Sequence, residues 1–198
     1  MLILDVEASG TEPWKHSIVS LGAIDFFNPN NRFYEECHMW DGADIMEGAL
    51  AVNGFTRAQI TDKNKQSEAD LIHLFLDWSD KLEERTLVGQ NVSFDRDFVR
   101  LAAERAGHTE NPFAYRTIDT HTLAYMHQIN HGLVPPTRNR RTALDLDAIL
   151  NYCGIPEEPH PHNALTGALS HAEVTSRILY GRKLLPEFEQ FEISWKKV

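Results

Sequence analysis

Cysteine is scarce in this sequence: Cys37 and Cys153 are the only two among 198 residues. That excludes a disulfide-stapled scaffold and a cysteine-based zinc site, and it fits a reduced, cytoplasmic setting. Positive charge is also short. Lys and Arg total 19 against 29 Asp and Glu, a net charge of -10 with His neutral. A protein that coats long nucleic acid through a general basic surface is therefore not expected, whereas an enzyme that holds a few nucleotides is compatible. No apolar run approaches membrane-spanning length. No basic segment followed by an apolar core and a cleavage site opens the chain. Internal repeats and low-complexity tracts are missing too. The remaining composition is that of one soluble globular domain with a sizeable core.

The most informative stretch that is present comes first: Met1-Leu-Ile-Leu-Asp5-Val-Glu7-Ala-Ser9-Gly10. Four apolar residues leading into an acid read as a buried strand, and a period of two puts Asp5 and Glu7 on one face. Two carboxylates at such a strand end repel each other and lose hydration. A divalent cation would remove that cost, and hard cations such as Mg²⁺ take oxygen ligands. An isolated D-x-E is more often a solvated strand end, so the rest of the chain has to decide.

Further strands are expected at 17–27, 32–39, 86–89 and 115–118, with Asn28-Pro29-Asn30-Asn31 as a hairpin turn between the second and third. Ser67-Glu-Ala-Asp70 reads as a helix start, with Leu71, Leu74, Phe75, Trp78 and Leu82 as its apolar stripe. Helices are also expected at 93–106, closed by Gly107, from about 119 to Asn130, at 143–152 and at 163–180. The two-proline stretch 132–137 reads as loop, and from Leu184 there is no clear period. Three strands followed by alternating helices and strands predict an α/β fold, a mixed sheet covered by helices.

Two later segments join the first. In Val88-Gly-Gln90-Asn91-Val-Ser-Phe94-Asp95 a short strand meets a helix. Asn91 suits a helix cap, and Asp95 falls in the first turn, where the helix dipole favours a carboxylate. In His160-Pro-His162-Asn163-Ala164-Leu-Thr-Gly167-Ala168 a histidine stands just before a helix whose apolar positions are Leu165, Ala168, Leu169, Ala172 and Leu179. Taken singly, each has an ordinary reading: capping acids, or a surface histidine.

Together, D-x-E ending a strand, N-x-x-F-D at a strand-to-helix turn and H-x-A opening a late helix resemble the DEDDh 3′–5′ exonucleases. The resemblance covers about residues 1–182, and 183–198 form a tail of unknown role. It includes Ser17 to Ile24 as the family's I-x-x-I-G-A-V strand and Ala49 to Ile60 as its A-x-x-V-x-G-I-T segment. It implies a ribonuclease H-like mixed five-stranded sheet flanked by helices, and two Mg²⁺ or Mn²⁺ ions about 4 Å apart. By resemblance, Asp5 bridges both ions, Glu7 holds the ion that binds the attacking water, and Asp95 supports the second through water. His162 takes the proton from the attacking water. Ala8 and Ser9 meet the terminal 3′-hydroxyl and sugar. The resemblance also implies single-stranded DNA or RNA 3′ ends as partners and allows a homodimer, although no stretch marks an interface. Asn91 adjoins the substrate, Phe94 either stacks on the last bases or belongs to the core, and Arg138, Arg140 and Arg141 either hold a phosphate or form a solvated loop.

One departure stands out. The family's last acid follows the histidine by five residues, and that position here is Gly167; neither His171 nor Glu173 has the right offset. Three readings stay open: an active enzyme with water in place of the ligand, a weak or inactive relative that binds nucleic-acid ends, or a residue changed to trap substrate. A protein-interaction scaffold with decorative acids is the alternative from another class.

Overall fold

The computed structural model describes residues 1–196. Five strands, β1 (Leu2–Ala8), β2 (Ile18–Asp25), β3 (Arg32–Glu36), β4 (Leu87–Gly89) and β5 (Thr117–Asp119), form one sheet in the order β3-β2-β1-β4-β5. β2 pairs antiparallel with β1 and β3, β4 pairs parallel with β1, and β5 pairs parallel with β4. Among the described residues, seven α-helices accompany it: α1 (Glu47–Asn53), α2 (Arg57–Thr61), α3 (Glu68–Ser79), α4 (Ser93–Arg105), α5 (Thr120–Asn130), α6 (Leu146–Cys153) and α7 (Ala164–Tyr180). The expected mixed α/β sheet flanked by helices is the fold observed.

The parity of β1 sorts its residues between two layers. Leu2, Leu4 and Val6 pack with Leu71, Ile72 and Phe75 of α3 and Phe98, Val99 and Ala102 of α4. Met1 and Ile3 point the other way, onto Ala168, Leu169 and Ala172 of α7. Asp5 and Glu7 continue the Met1–Ile3 row, so they lie on the α7 side. α7 is sandwiched: Val174 and Ile178 face a third cluster with Ala124 of α5 and Ile149 and Leu150 of α6. That explains why Ile178 goes inward while Leu179, expected in the stripe, is 41% exposed. α3 likewise turns Ile72 and Leu76 inward and leaves Leu74 out, because it packs on both the sheet and α4.

α7 approaches the sheet closely at one glycine. Gly22 pairs with Asp5 across β1 and β2. A β-carbon at Gly22 would fall 2.2 Å from the carbonyl oxygen of Ala164, so only glycine lets the first turn of α7 lie there.

Two local expectations change. Asn91 is not the cap of α4: that position is Val92, which makes no side-chain cap bond, and Asn91 adopts φ +50°. Asn tolerates this left-handed conformation, which turns the chain tightly out of β4. The basic stretch is no plain loop either. Thr137–Arg138 and Arg141–Thr142 form a two-stranded hairpin, β6 and β7, turned by Asn139 and Arg140 at φ +53° and +63°.

After α7, residues 183–196 pack on the domain. Leu185 and Ile193 are buried, and Trp195 lies against Tyr152 with ring centroids 5.0 Å apart. Arg177 is fully buried; it pairs with Glu173 at 2.7 Å and donates to the carbonyls of Cys153 and Phe188. The other Glu173 oxygen accepts the N–H groups of Leu184 and Leu185, both at 2.9 Å. Lys197 and Val198, the end of the expected tail, lie outside the described residues.

Candidate active site

β4 covers only the start of β1, at Leu2 and Ile3. Further along, the N–H of Val6 needs another acceptor, and Oδ1 of Asp95 takes it at 3.0 Å from the first turn of α4. This bond carries Asp95, 89 residues away in sequence, to the end of β1 beside Asp5 and Glu7. All three acids influence one another. Burial, with the Asp5 charge adding, pushes the Asp95 carboxyl well above the usual range. Burial pushes Glu7 up to about 8, with Asp5 and Glu158 adding and an Asn53 hydrogen bond partly offsetting.

The α7 end supplies the rest. Gly167 faces Asp5 directly, since a β-carbon there would stand 2.3 Å from Asp5 Oδ2. His162 precedes the helix, whose cap Asn163 accepts from the N–H groups of Leu165 and Thr166. The His162 N–H donates to the carbonyl of Val52 at 3.0 Å, and its Nε2 is buried with no hydrogen-bond partner. His162 also acts electrostatically on Glu158.

Two neighbours have no counterpart among the residues expected from sequence. Glu158 is buried, with its carboxyl raised by burial and by Asp5. His171 brings Nε2 to 3.6 Å from Asp5 Oδ1. The only trace of Glu158 in the sequence is an acid pair, Glu157-Glu158, set between prolines just ahead of His160-Pro-His162.

A cavity of about 180 Å³ opens beside the acids, lined by Glu7, Ala8, Thr11, Ala49, Val52, Asn53 and Phe94. Phe94 serves both the cavity and the core, since it also packs on Phe98 at a centroid distance of 4.8 Å. Ser9 is fully buried. Its hydroxyl donates to Asp44 and accepts from the Ser17 N–H, so it holds the turn rather than facing the cavity. The Ala8 carbonyl accepts from Asn53 at 3.1 Å. Asn91 is exposed at the mouth of α4. Arg138 and Arg140 are not drawn in among the acids: the hairpin's side-chain bonds run to Asp145 and His121.

Buried, mutually repelling carboxylates with an oxygen-rich donor set suit a hard divalent cation. Among the described residues, no three such side chains already form a finished cage.

The RNase T family model, an exonuclease, matches residues 2–175. The chain belongs to the DEDDh-type 3′–5′ exonuclease family. Ribonuclease T of Klebsiella pneumoniae is 27% identical over 137 residues, covering 62% of this chain and 63% of that protein. Ribonuclease T of Haemophilus influenzae is 28% identical over 147 residues, covering 62% and 59%. The chain thus spans about three-fifths of these relatives. E. coli exonuclease I in complex with a dT13 oligonucleotide superposes with a TM-score of 0.70 at 20% identity, covering 89% of this chain and 40% of that one. Its zinc-bound form with single-stranded DNA gives 0.73 at 18% identity, covering 91% and 40%. Exonucleases of this family use divalent metals. Among the described residues, no helix is long and apolar enough to cross a membrane.

Proposed function

We propose that this protein is a metal-dependent 3′–5′ exonuclease that shortens single-stranded DNA or RNA from the 3′ end by a two-metal mechanism. The observation that carries this reading is the meeting of Asp5, Glu7 and Asp95 at the end of β1, fastened by the Val6–Asp95 hydrogen bond. Family membership and neighbours solved with single-stranded oligonucleotides support it.

When bound, Mg²⁺ or Mn²⁺ ions supply charge stabilisation to the phosphoryl group and to the leaving 3′-oxygen. Asp5, Glu7 and Asp95 hold them. His162 takes the proton of the attacking water through its unpartnered Nε2, on a loop held to Val52 by the His162 backbone N–H. The cavity between Ala8 and Phe94 takes the terminal nucleotide. Phe94 and Val52 face its base, so little base preference is expected. Ser9 contributes by fixing the turn. Asn91 stands at the strand's path, and Arg138 and Arg140 bind a phosphate further along it.

A 5′-labelled single strand with Mg²⁺ tests the reading. It should shorten as a ladder from the 3′ end, stall when that end carries a phosphate, and stay intact with a chelator. Cuts in a circular single strand would refute it.

A further inference from the structure

Gly167 leaves the third motif without its acid, and α7 does not regain one from its own length: Glu173 is committed to Arg177, Leu184 and Leu185. A carboxylate does arrive from the loop ahead of the helix. Glu158 is 7% exposed, and its Oε1 accepts from Thr166 Oγ1 at 2.9 Å. Its N–H donates to Asp147 of α6 at 3.2 Å, and Pro156 and Pro159 restrict the loop on either side. Thr166 adjoins Gly167, and position 167 touches Asp5. The Glu158 carboxylate is thus held by the helix neighbour of position 167, close enough for the Asp5 charge to act on it and for its own charge to act on Glu7.

A second group points into the same space. His171 lies one turn beyond Gly167 and is 2% exposed. Its Nε2 faces Asp5 at 3.6 Å, and its Nδ1 has no hydrogen-bond partner. One ring nitrogen of this buried imidazole thus faces a candidate metal acid while the other is left unsatisfied, an arrangement that a further group at the site would complete.

We propose that Glu158 is the fourth carboxylate of the divalent-metal site, reaching from the loop to fill the position left open by Gly167. This deepens the exonuclease reading and rests on it. Glycine at 167 then has a purpose: it clears the room that Asp5 and the incoming Glu158 share.

Mn²⁺ titration of the full chain, by calorimetry and by metal-induced thermal shift, tests the proposal without measuring activity. Glu158→Gln should weaken one of two Mn²⁺ ions by more than tenfold and shrink the Mn²⁺-induced rise in Tm. Its Tm without metal should hold or rise, because a buried charge is gone. Thr166→Val, which removes only the hydroxyl that orients Glu158, should weaken the same ion by about 10–100-fold, and it decides the question if Glu158→Gln does not fold. Wild-type stoichiometry and affinity in Glu158→Gln, or in Thr166→Val where that variant decides, would overturn the proposal. Asp5→Asn separates the two levels. If it alone loses Mn²⁺, only the role of Glu158 falls; if the wild-type chain binds no Mn²⁺, the exonuclease reading falls as well.

Discussion

The carboxylate of Asp95 accepts the backbone N–H of Val6 at 3.0 Å, so one side chain both completes the edge of β1 and brings an acid to the candidate metal site. Two substitutions separate these duties. Asp95→Asn keeps an acceptor for Val6 and should fold with unchanged or higher metal-free stability, yet lose Mg²⁺ binding and turnover. Asp95→Ala leaves the Val6 N–H buried and unpaired and should cost about 1–3 kcal/mol in denaturant unfolding. Equal stability of the two variants would mean that the bond carries no structural weight.

His162 has a testable chemical duty. His162→Ala should lower turnover by about 10²–10⁴-fold, as loss of a general base does, while calorimetric Mn²⁺ binding stays intact. Full turnover in the variant would return His162 to an ordinary residue ahead of α7.

The metal-free protein should be less stable at higher pH. Glu7 shifts from 4.5 to about 8 on folding, chiefly by burial, and Asp95 and Glu158 shift in the same direction. Between those values the folded chain keeps a proton that the unfolded chain has released, so unfolding releases a proton and stability falls as pH rises through that window. Calorimetric scans in a chelator should show Tm falling from about pH 5 to 8. Saturating Mg²⁺ should flatten the slope, because the cation takes the proton's place. A flat profile in the chelator would contradict the burial of these acids.

Arg177→Met should be costly far from the chemistry. It strands the buried Glu173 carboxylate and should destabilise the fold by about 3–5 kcal/mol in urea unfolding. Mn²⁺ affinity measured well below the new Tm should match wild type. A loss of affinity there would mean that α7 transmits the change to Gly167 and His171.

Several features were legible in local sequence because local physics sets them. The period of two along β1 places Asp5 and Glu7 together whatever the rest of the chain does. Ser67 and Asp70 form the expected capping box, since both groups lie within one turn. The 28–31 turn joins β2 and β3 as its composition implies. Asp95 was recognisable through motif order, although the Val6 bond that places it was not.

What tertiary structure alone decided has one physical cause: it concerns groups whose partners lie far along the chain. Leu74 faces out and Ile72 in because α3 has two neighbours, a fact absent from a single helical stripe. Ser9 reads as a substrate contact until Asp44 and Ser17 close over its hydroxyl. Glu158 sits in a proline-flanked loop, where no period reveals which way a side chain points. Only the packing of α7 on Gly22, with Gly167 against Asp5, turns that loop acid toward the others. The amino-acid sequence by itself determined the strands of the main sheet, the helices from α3 onward and the three motifs, because neighbouring residues encode those. The approach of Glu158 to Asp5 and Glu7 was decided by the fold, because burial and like-charge proximity exist only once distant segments meet.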